Sequence, residues 1–559
     1  VKTLKKNSEP VIGSDVKIGR CNWRLALPVV IILIAAAALR FYGLHWGLPN
    51  SLHSYSYHPD EFLIVGSVAI VLQSLVPSFY NYPSLFIYLA ALAVLIGSGY
   101  GIVGDPASVY LCARVVGAVI GVAAVAATYR AGKAMWGSRA GIVAAIILCI
   151  APLHVQHSHF ATVDVPSTFF VAVALGFAGW VAKRGTMRDY VLCGVMIGFA
   201  AGTKYNTGII VTSLLVAHLL RERSKLEKGG VQKLIAALGC SIIAFLVSTP
   251  GAILRSSEFL NGLTYEMKHS AAGHGLVFAG TGNGLIYTFT SSLWYGLGPG
   301  LAVLFIGAIA YGLWRRDRNA LIVLAFVLPY YALISLSHVR FARYALPLFP
   351  AAAVLIGWMV QDSWSRLIKL RWTIIAACAI VFISTLFYSL ALDRLFVLPD
   401  PRNKSARFIA ADIPKGSSIG VEEVPWFYSP PYSKMTGFGT LQQRREAMVD
   451  SPYKLIVFSD SEVPGDWRRS GQMPDWVVLS DYEIADAARL RESKSISVED
   501  ECQVKRICDD VEFVRRRYKL EWMRENKLEV LGYQIGRVES LPHDMRYPAP
   551  AIWVYHLPK

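Results

Sequence analysis

The stretch LALPVVIILIAAAALRFYG, residues 25–43, carries a single charge, Arg40, in nineteen positions. As a helix rising about 1.5 Å per residue it is long enough to cross roughly 30 Å of hydrocarbon with its one cation near an end. The residues before it are basic: Lys2, Lys5, Lys6, Lys17, Arg20 and Arg24. The apolar run is too long for a signal peptide and no small-residue cleavage site follows. It therefore reads as a signal anchor, with residues 1–24 as a cytoplasmic basic N-terminus.

Working outward, comparable apolar runs recur to about residue 391 and then stop. Of the 559 residues 54% are hydrophobic and 17% charged, a balance that excludes an ordinary soluble domain. The net charge of +16 does not call for nucleic acid, because Lys and Arg cluster in the short loops between apolar runs, the positive-inside pattern. The expected fold is an α-helical polytopic membrane protein with about eleven spans plus interfacial helices over residues 25–391. Residues 392–559, charged and aromatic with turn signals between short β-rich runs, read as an extracytoplasmic α/β domain.

Basic clusters give a parity test of topology. Those at Lys183/Arg184/Arg188, Arg221–Lys228, Arg315/Arg316/Arg318 and Arg366/Lys369/Arg371 each follow an outside-to-inside crossing, provided that Ser84–Gly101 lies in the interface or re-enters rather than spanning. The outer loops are then residues 44 to about 107, His154–Asp164 and about 251–298. Localisation in a bacterial inner (plasma) membrane follows as the expectation. Of eight cysteines, only Cys502 and Cys508 lie in the polar tail, where an oxidising compartment would let them pair. The sequon Asn403-Lys404-Ser405 lies there too.

The first outer loop holds the strongest chemical signal, Tyr57-His58-Pro59-Asp60-Glu61-Phe62, followed by Tyr80-Asn81-Tyr82-Pro83-Ser84. Two adjacent acids just beyond a span must face water, a cation or a reaction, since a charged acid at the bilayer centre costs about 2.5–3.5 kcal/mol. The bland alternative is a helix cap. A second acid, Asp164, ends the loop containing His154, His157 and His159 and precedes Val165-Pro166; here too an N-cap is the competing role. The histidine spacing implies no metal geometry, and a polar hydrogen-bonded loop explains it better than zinc. Arg340, Arg343 and Tyr344 start a third cluster, and Lys204 sits at another outer edge. These cations suit a phosphate, or alternatively snorkel to headgroups.

Taken in order, the acidic pair after the first span, Arg114-Val-Val-Gly117, Asp164-x-Pro166 and Arg343-Tyr344-x-x-Pro347-x-x-Pro350 resemble the GT-C glycosyltransferases. The likeness is nearest the protein O-mannosyltransferase and aminoarabinose transferase group, family 39-like, and runs to roughly residue 360. It implies an inverting transfer from a polyprenyl-phosphate-linked monosaccharide to a protein, lipid or glycan acceptor. It further implies Asp60 as base with Glu61 beside it, Asp164 as second acid, and Arg343 and Tyr344 at the donor phosphate. A Lys found before the first-loop Pro in some relatives is replaced by Tyr82, so Arg340, Arg343 or Lys204 takes the phosphate. His58, Tyr82 and His159 complete the expected pocket. His58-Pro59-Asp60-Glu61 also resembles lipid-linked mannosyltransferases that build glycan anchors, which leaves the acceptor class open. A divalent metal bridging carboxylate and phosphate fits the chemistry without being demanded.

The competing class is a transporter or flippase of a lipid-linked sugar, which would place ionisable groups mid-span and often repeat internally; no repeat is visible. A third reading makes the tail the working part and the spans its anchor.

Overall fold

The computed structural model describes residues 23–224, 229–460, 466–469, 471–493 and 496–558. Residues 1–22, which include most of the basic N-terminus and Cys21, and residues 225–228 of one basic cluster lie outside the described residues. The chain is predominantly helical up to Leu395. Five helices among the described residues are long and apolar enough to cross a membrane: Pro106–Trp136, Asp164–Lys183, Gly230–Ser248, Arg318–Leu336 and Ile368–Leu395. Shorter apolar helices accompany them, including Ala26–Phe41 and Leu85–Gly99. The latter, at fifteen residues, covers most of the stretch expected to lie in the interface or re-enter.

Helix–helix contact in this region relies on small residues, as it must where lipid tails are as apolar as side chains. Helix Met187–Ala201 lies so close to Gly230–Ser248 that a Cβ on Gly194 would stand 2.0 Å from the carbonyl oxygen of Ala237. The basic residues of the parity argument fall at helix ends: Lys183, Arg315 and Arg366 each lie in a last turn.

The first outer loop is pinned from within. Arg114, 1% exposed on helix Pro106–Trp136, donates to the carbonyl oxygens of Leu44 and Trp46 and to Ser56 Oγ, and its guanidinium grips Glu61. Gly117, one turn on, lets the backbone of Phe160 approach; a Cβ there would meet the Phe160 carbonyl oxygen at 2.9 Å. The loop 44–60 and the loop 158–163 are thereby held side by side.

Beyond Leu395 the chain forms a five-stranded mixed sheet. Its strands are β1 (Ser418–Val421), β2 (Lys454–Val457), β3 (Trp476–Ser480), β4 (Lys519–Arg524) and β7 (Ile552–His556), with β5 (Leu528–Val530) and β6 (Tyr533–Gly536) forming a separate hairpin. The order is β2-β1-β3-β7-β4; β1 runs parallel to β2 and β3, and β7 antiparallel to β3 and β4. Helices Pro401–Asp412, Asp481–Leu490 and Val498–Arg517 flank it.

Sheet and membrane helices meet in an aromatic seam that includes Trp46, Tyr57, Phe160, Phe396, Phe427 and Tyr547. Within it the Arg402 guanidinium donates two hydrogen bonds to Asp400 and lies 3.8 Å from the Tyr57 ring centroid, while Trp46 Nε1 donates to Asp400 at 3.1 Å. Tyr57 in turn donates to Asn403 Oδ1 at 2.6 Å. The sequon asparagine is therefore committed to the first loop, and Ser405 is fully buried.

The expected Cys502–Cys508 pair is not formed: both are free cysteines. They share one helix, Val498–Arg517, six positions apart. Six residues of helix separate the two Cα atoms by about 9 Å along the axis, beyond disulfide reach.

Candidate active site

Asp60 and Glu61 part company at the start of helix Glu61–Ser74. Glu61 is completely buried, and its carboxylate accepts from Arg114 Nε at 2.8 Å, Arg114 Nη2 at 2.7 Å, Ser56 Oγ and the Ala161 amide at 2.7 Å. Four donors saturate it and none of it faces a cavity. Asp60, one-fifth exposed, is turned the other way and meets Arg343 Nη2 at 3.1 Å. Its backbone amide donates to His58 Nδ1 at 3.2 Å. Burial holds His58 well below the usual imidazole range, with Arg343 adding to the effect, so it stays neutral and keeps that acceptor lone pair.

Two adjoining cavities of about 560 and 540 Å³ open around this point. Asn81, Tyr82, Glu266, Arg343 and Tyr344 line both and form the wall between them. The first cavity reaches Asp60 and rises into the tail, past Phe427, Tyr428, Tyr482 and Tyr547. The second runs from Asp164 and Lys204 into an apolar trough of Leu263, Met267, Leu333, Ile334 and Leu336.

In the second cavity Lys204 Nζ lies 2.7 Å from Asp164 Oδ1 and 4.6 Å from the Tyr344 ring centroid. Asp164 stands in the first turn of its helix without capping it; its carboxylate is spent on lysine instead. Arg343 belongs to the short turn Ala342–Ala345, its guanidinium 3.9 Å from the Phe341 ring centroid and in reach of Asp60, Tyr547 and Asp544. Burial opposes its charge, but Tyr547, Asp60 and Asp544 outweigh that and hold its pKa above the ordinary value.

Burial pushes the Asp60 carboxyl above the usual aspartate range; Asp164 and Asp544 add to this, while Arg343 and Lys204 work against it. An acid so placed binds a proton more tightly than one in water, which is what a general base requires. Glu266, on helix Ser256–Ala272, is pushed up to about 7 by burial and by the negative charge of Asp60.

Of the residues singled out in the sequence, Asp60, Asp164, Lys204, Tyr82, Arg343 and Tyr344 come together at these cavities, with His58 directly behind Asp60. Three others lie apart from the cavities. Glu61 is the pin just described. Arg340 bonds instead to Ser337 O, Thr281 Oγ1 and Gly282 O. His159 is enclosed between the carbonyl oxygens of Tyr42 and Val155 and stacks on Phe396, with burial lowering its pKa to about 4. Among the described residues no three His, Cys, Asp or Glu side chains converge as a metal cage. Glu266, Asp544 and Tyr547 were not singled out in the sequence. Glu266 lies in the long 251–298 loop already marked as outer, which also holds Glu258, and nothing local sets one acid apart from the other. Nothing local in Leu541–Pro550 marks Asp544 or Tyr547.

Fold and site together define an integral membrane protein with charged groups gathered at the ends of its helices. Within that class, residues 95–253 match the family described as dolichyl-phosphate-mannose-protein mannosyltransferase. ArnT from Cupriavidus metallidurans bound to undecaprenyl phosphate is 14% identical over 94% of this chain and 97% of its own, with a TM-score of 0.50. The Archaeoglobus fulgidus oligosaccharyltransferase tethered with an acceptor peptide is 13% identical over 94% of this chain and 77% of its own, at 0.48. The Saccharomyces cerevisiae Pmt1-Pmt2 complex bound to the sugar donor is 17% identical over 42% of this chain and 34% of its own, at 0.35. The likeness in fold rests on the first of these. No curated protein matches the chain. The GT-C, family 39-like resemblance read from the motifs is supported by the family match and by the fold.

Proposed function

We propose that the chain is an inverting glycosyltransferase that moves a monosaccharide from a polyprenyl-phosphate donor to an acceptor on the extracytoplasmic face of a bacterial plasma membrane. The observation that carries this reading is the shared wall: one cavity has an apolar trough ending at Lys204 and Arg343, the other holds Asp60, and they meet at Tyr82, Glu266 and Arg343. A lipid tail fits the trough and its phosphate the two cations. The ligand bound to the Cupriavidus protein, undecaprenyl phosphate, is of that class.

The acceptor enters through the first cavity and its hydroxyl or amide proton passes to Asp60. Sugar C1 gains positive character as the C1–O bond to phosphate breaks, in an oxocarbenium-like state attacked from the face opposite the leaving group. The departing polyprenyl phosphate needs positive charge rather than a proton. Arg343 supplies it by exchanging Asp60 for phosphate, which also frees Asp60 to accept. Lys204, held by Asp164, supplies the second charge.

In this reading residues 1–24 are cytoplasmic, residues 25–391 form a catalytic membrane domain of about eleven spans, and residues 392–559 form an α/β domain on the outer face. A transporter is less well supported, because Asp60, Asp164, Lys204 and Arg343 lie in loops and at helix starts rather than mid-span.

The test is incubation of purified protein with a panel of polyprenyl-phosphate sugars and candidate protein, lipid and glycan acceptors, with mass analysis of the products. Transfer of one sugar, abolished by Asp60→Asn, is expected. A well-folded Asp60→Asn protein that still transfers would refute the assignment.

A further inference from the structure

Arg343 and the turn that carries it are held by a residue 201 positions later in the chain. Asp544, completely buried in the short turn His543–Met545, accepts from the Ala342 amide at 3.0 Å and the Arg343 amide at 2.9 Å. Its Oδ2 also lies 3.7 Å from Arg343 Nη1, and Tyr547 OH accepts from the same nitrogen at 3.2 Å. The segment is fixed from both sides: Gln156 donates to Met545 O at 2.8 Å, Arg402 to Tyr547 O at 3.0 Å and Tyr482 to His543 O at 3.0 Å.

From this geometry we infer that Asp544, contributed by the tail, is a positioning residue of the active site that divides the Arg343 charge between itself and Asp60. The inference rests on the proposed role of Asp60 as base. An arginine facing a single carboxylate forms a closed pair, and a closed pair is a poor base because the cation stabilises the deprotonated form. A second carboxylate on the far side of the same guanidinium weakens that hold. It also aims the guanidinium: with both amides at the start of the turn anchored, Arg343 reaches across the wall between the cavities.

The groups around Asp60 bear this out as a balance of charge. Arg343 and Lys204 lower its proton affinity, while Asp164 and Asp544 raise it. Glu266 and the hydroxyls of Tyr82, Tyr344 and Tyr547 face the same space, with His269 beyond them and neutral His58 behind. Asp544 is the tail's one carboxylate among these partners of Asp60. Removing its charge takes away a repulsion and leaves Asp60 as the one carboxylate of the two still on Arg343, so both changes act in the same direction.

The experiment compares wild type with Asp544→Asn, which keeps the shape and an acceptor oxygen. Infrared titration of the protonated-carboxyl band, assigned to Asp60 by its loss in Asp60→Asn, reads the proton affinity without reliance on turnover. The Asp60 midpoint is expected to fall by about one pH unit in Asp544→Asn. With the donor and acceptor found above, the acid limb of kcat/KM moves down by the same amount and kcat drops about tenfold. Asp544→Ser, smaller and still an acceptor, gives the same sign and serves where the asparagine variant does not fold. An unmoved infrared midpoint in a folded variant overturns the inference, even where kcat has dropped, since a purely structural cap predicts loss without the shift. Wild type inactive towards every donor refutes the transferase reading instead, and the infrared result still decides the placement of charge.

Discussion

Two acid–arginine contacts, one residue apart in the chain, have opposite characters. At Glu61–Arg114 every carboxylate oxygen is saturated, both side chains are 1% exposed or less, and the contact joins two loops to a helix. At Asp60–Arg343 one guanidinium is spread over two carboxylates and a phenol beside open cavities. The first is closed on itself and holds structure; the second keeps hydrogen-bonding capacity in reserve. What separates them is the number of partners and access to a cavity, not residue type.

The comparison breaks most sharply at Asp60. Asp60→Asn is expected to cut transfer by 10²–10⁴-fold, about the worth of a general base, with thermal stability in detergent unchanged. Stability falling along with activity would mean that Asp60, too, is a pin. The converse change, Glu61→Gln, leaves the Arg114 charge buried without its counter-ion and is expected to cost about 3–5 kcal/mol, read as a lowered Tm or lost monodispersity. A variant as stable as wild type would remove the distinction. Arg343→Lys keeps the charge but loses the fork, and is expected to weaken binding of undecaprenyl phosphate about tenfold in a titration against purified protein.

The smallest effect concerns Glu266. Its pKa of about 7 means that raising pH through neutrality adds a negative charge to the wall shared by the cavities. Affinity for a lipid phosphate should therefore decline more steeply between pH 6 and 8 in wild type than in Glu266→Gln, by a factor of about two to five. Measuring both proteins side by side cancels the titration of the phosphate itself. Equal slopes would remove Glu266 from the wall's electrostatics.

What the sequence revealed followed locality. Asp60, Asp164, Lys204 and Arg343 each sit at the edge of an apolar run, where a charge needs a reason, and loop parity put them on one face. The same logic could not separate Asp60 from Glu61, because the partner that claims Glu61 is 53 residues away on a helix face. Nor did it foresee that Arg340, three residues from Arg343, turns to the 281–282 loop. In a turn that is not a regular helix, spacing does not predict direction. Asp544 and Tyr547 were hidden for another reason: their meaning depends on how the tail docks, and the seam that docks it joins Trp46 and Tyr57 to Asp400, Arg402 and Asn403, over 340 residues later. Cys502 and Cys508 misled because compartment was read without geometry; a helix keeps them apart.

The clasp between Arg402, Asp400 and the first loop bears on when during synthesis the site comes into being. Membrane helices insert as they are made, so Asp60, Asp164 and Lys204 are in place while the tail is still being translated. Until the tail has emerged, folded and docked, the Arg343 turn lacks its anchor. On the proposed function, a chain interrupted after Leu395 would be inserted but idle, and catalysis would wait for molecules whose synthesis had run its course.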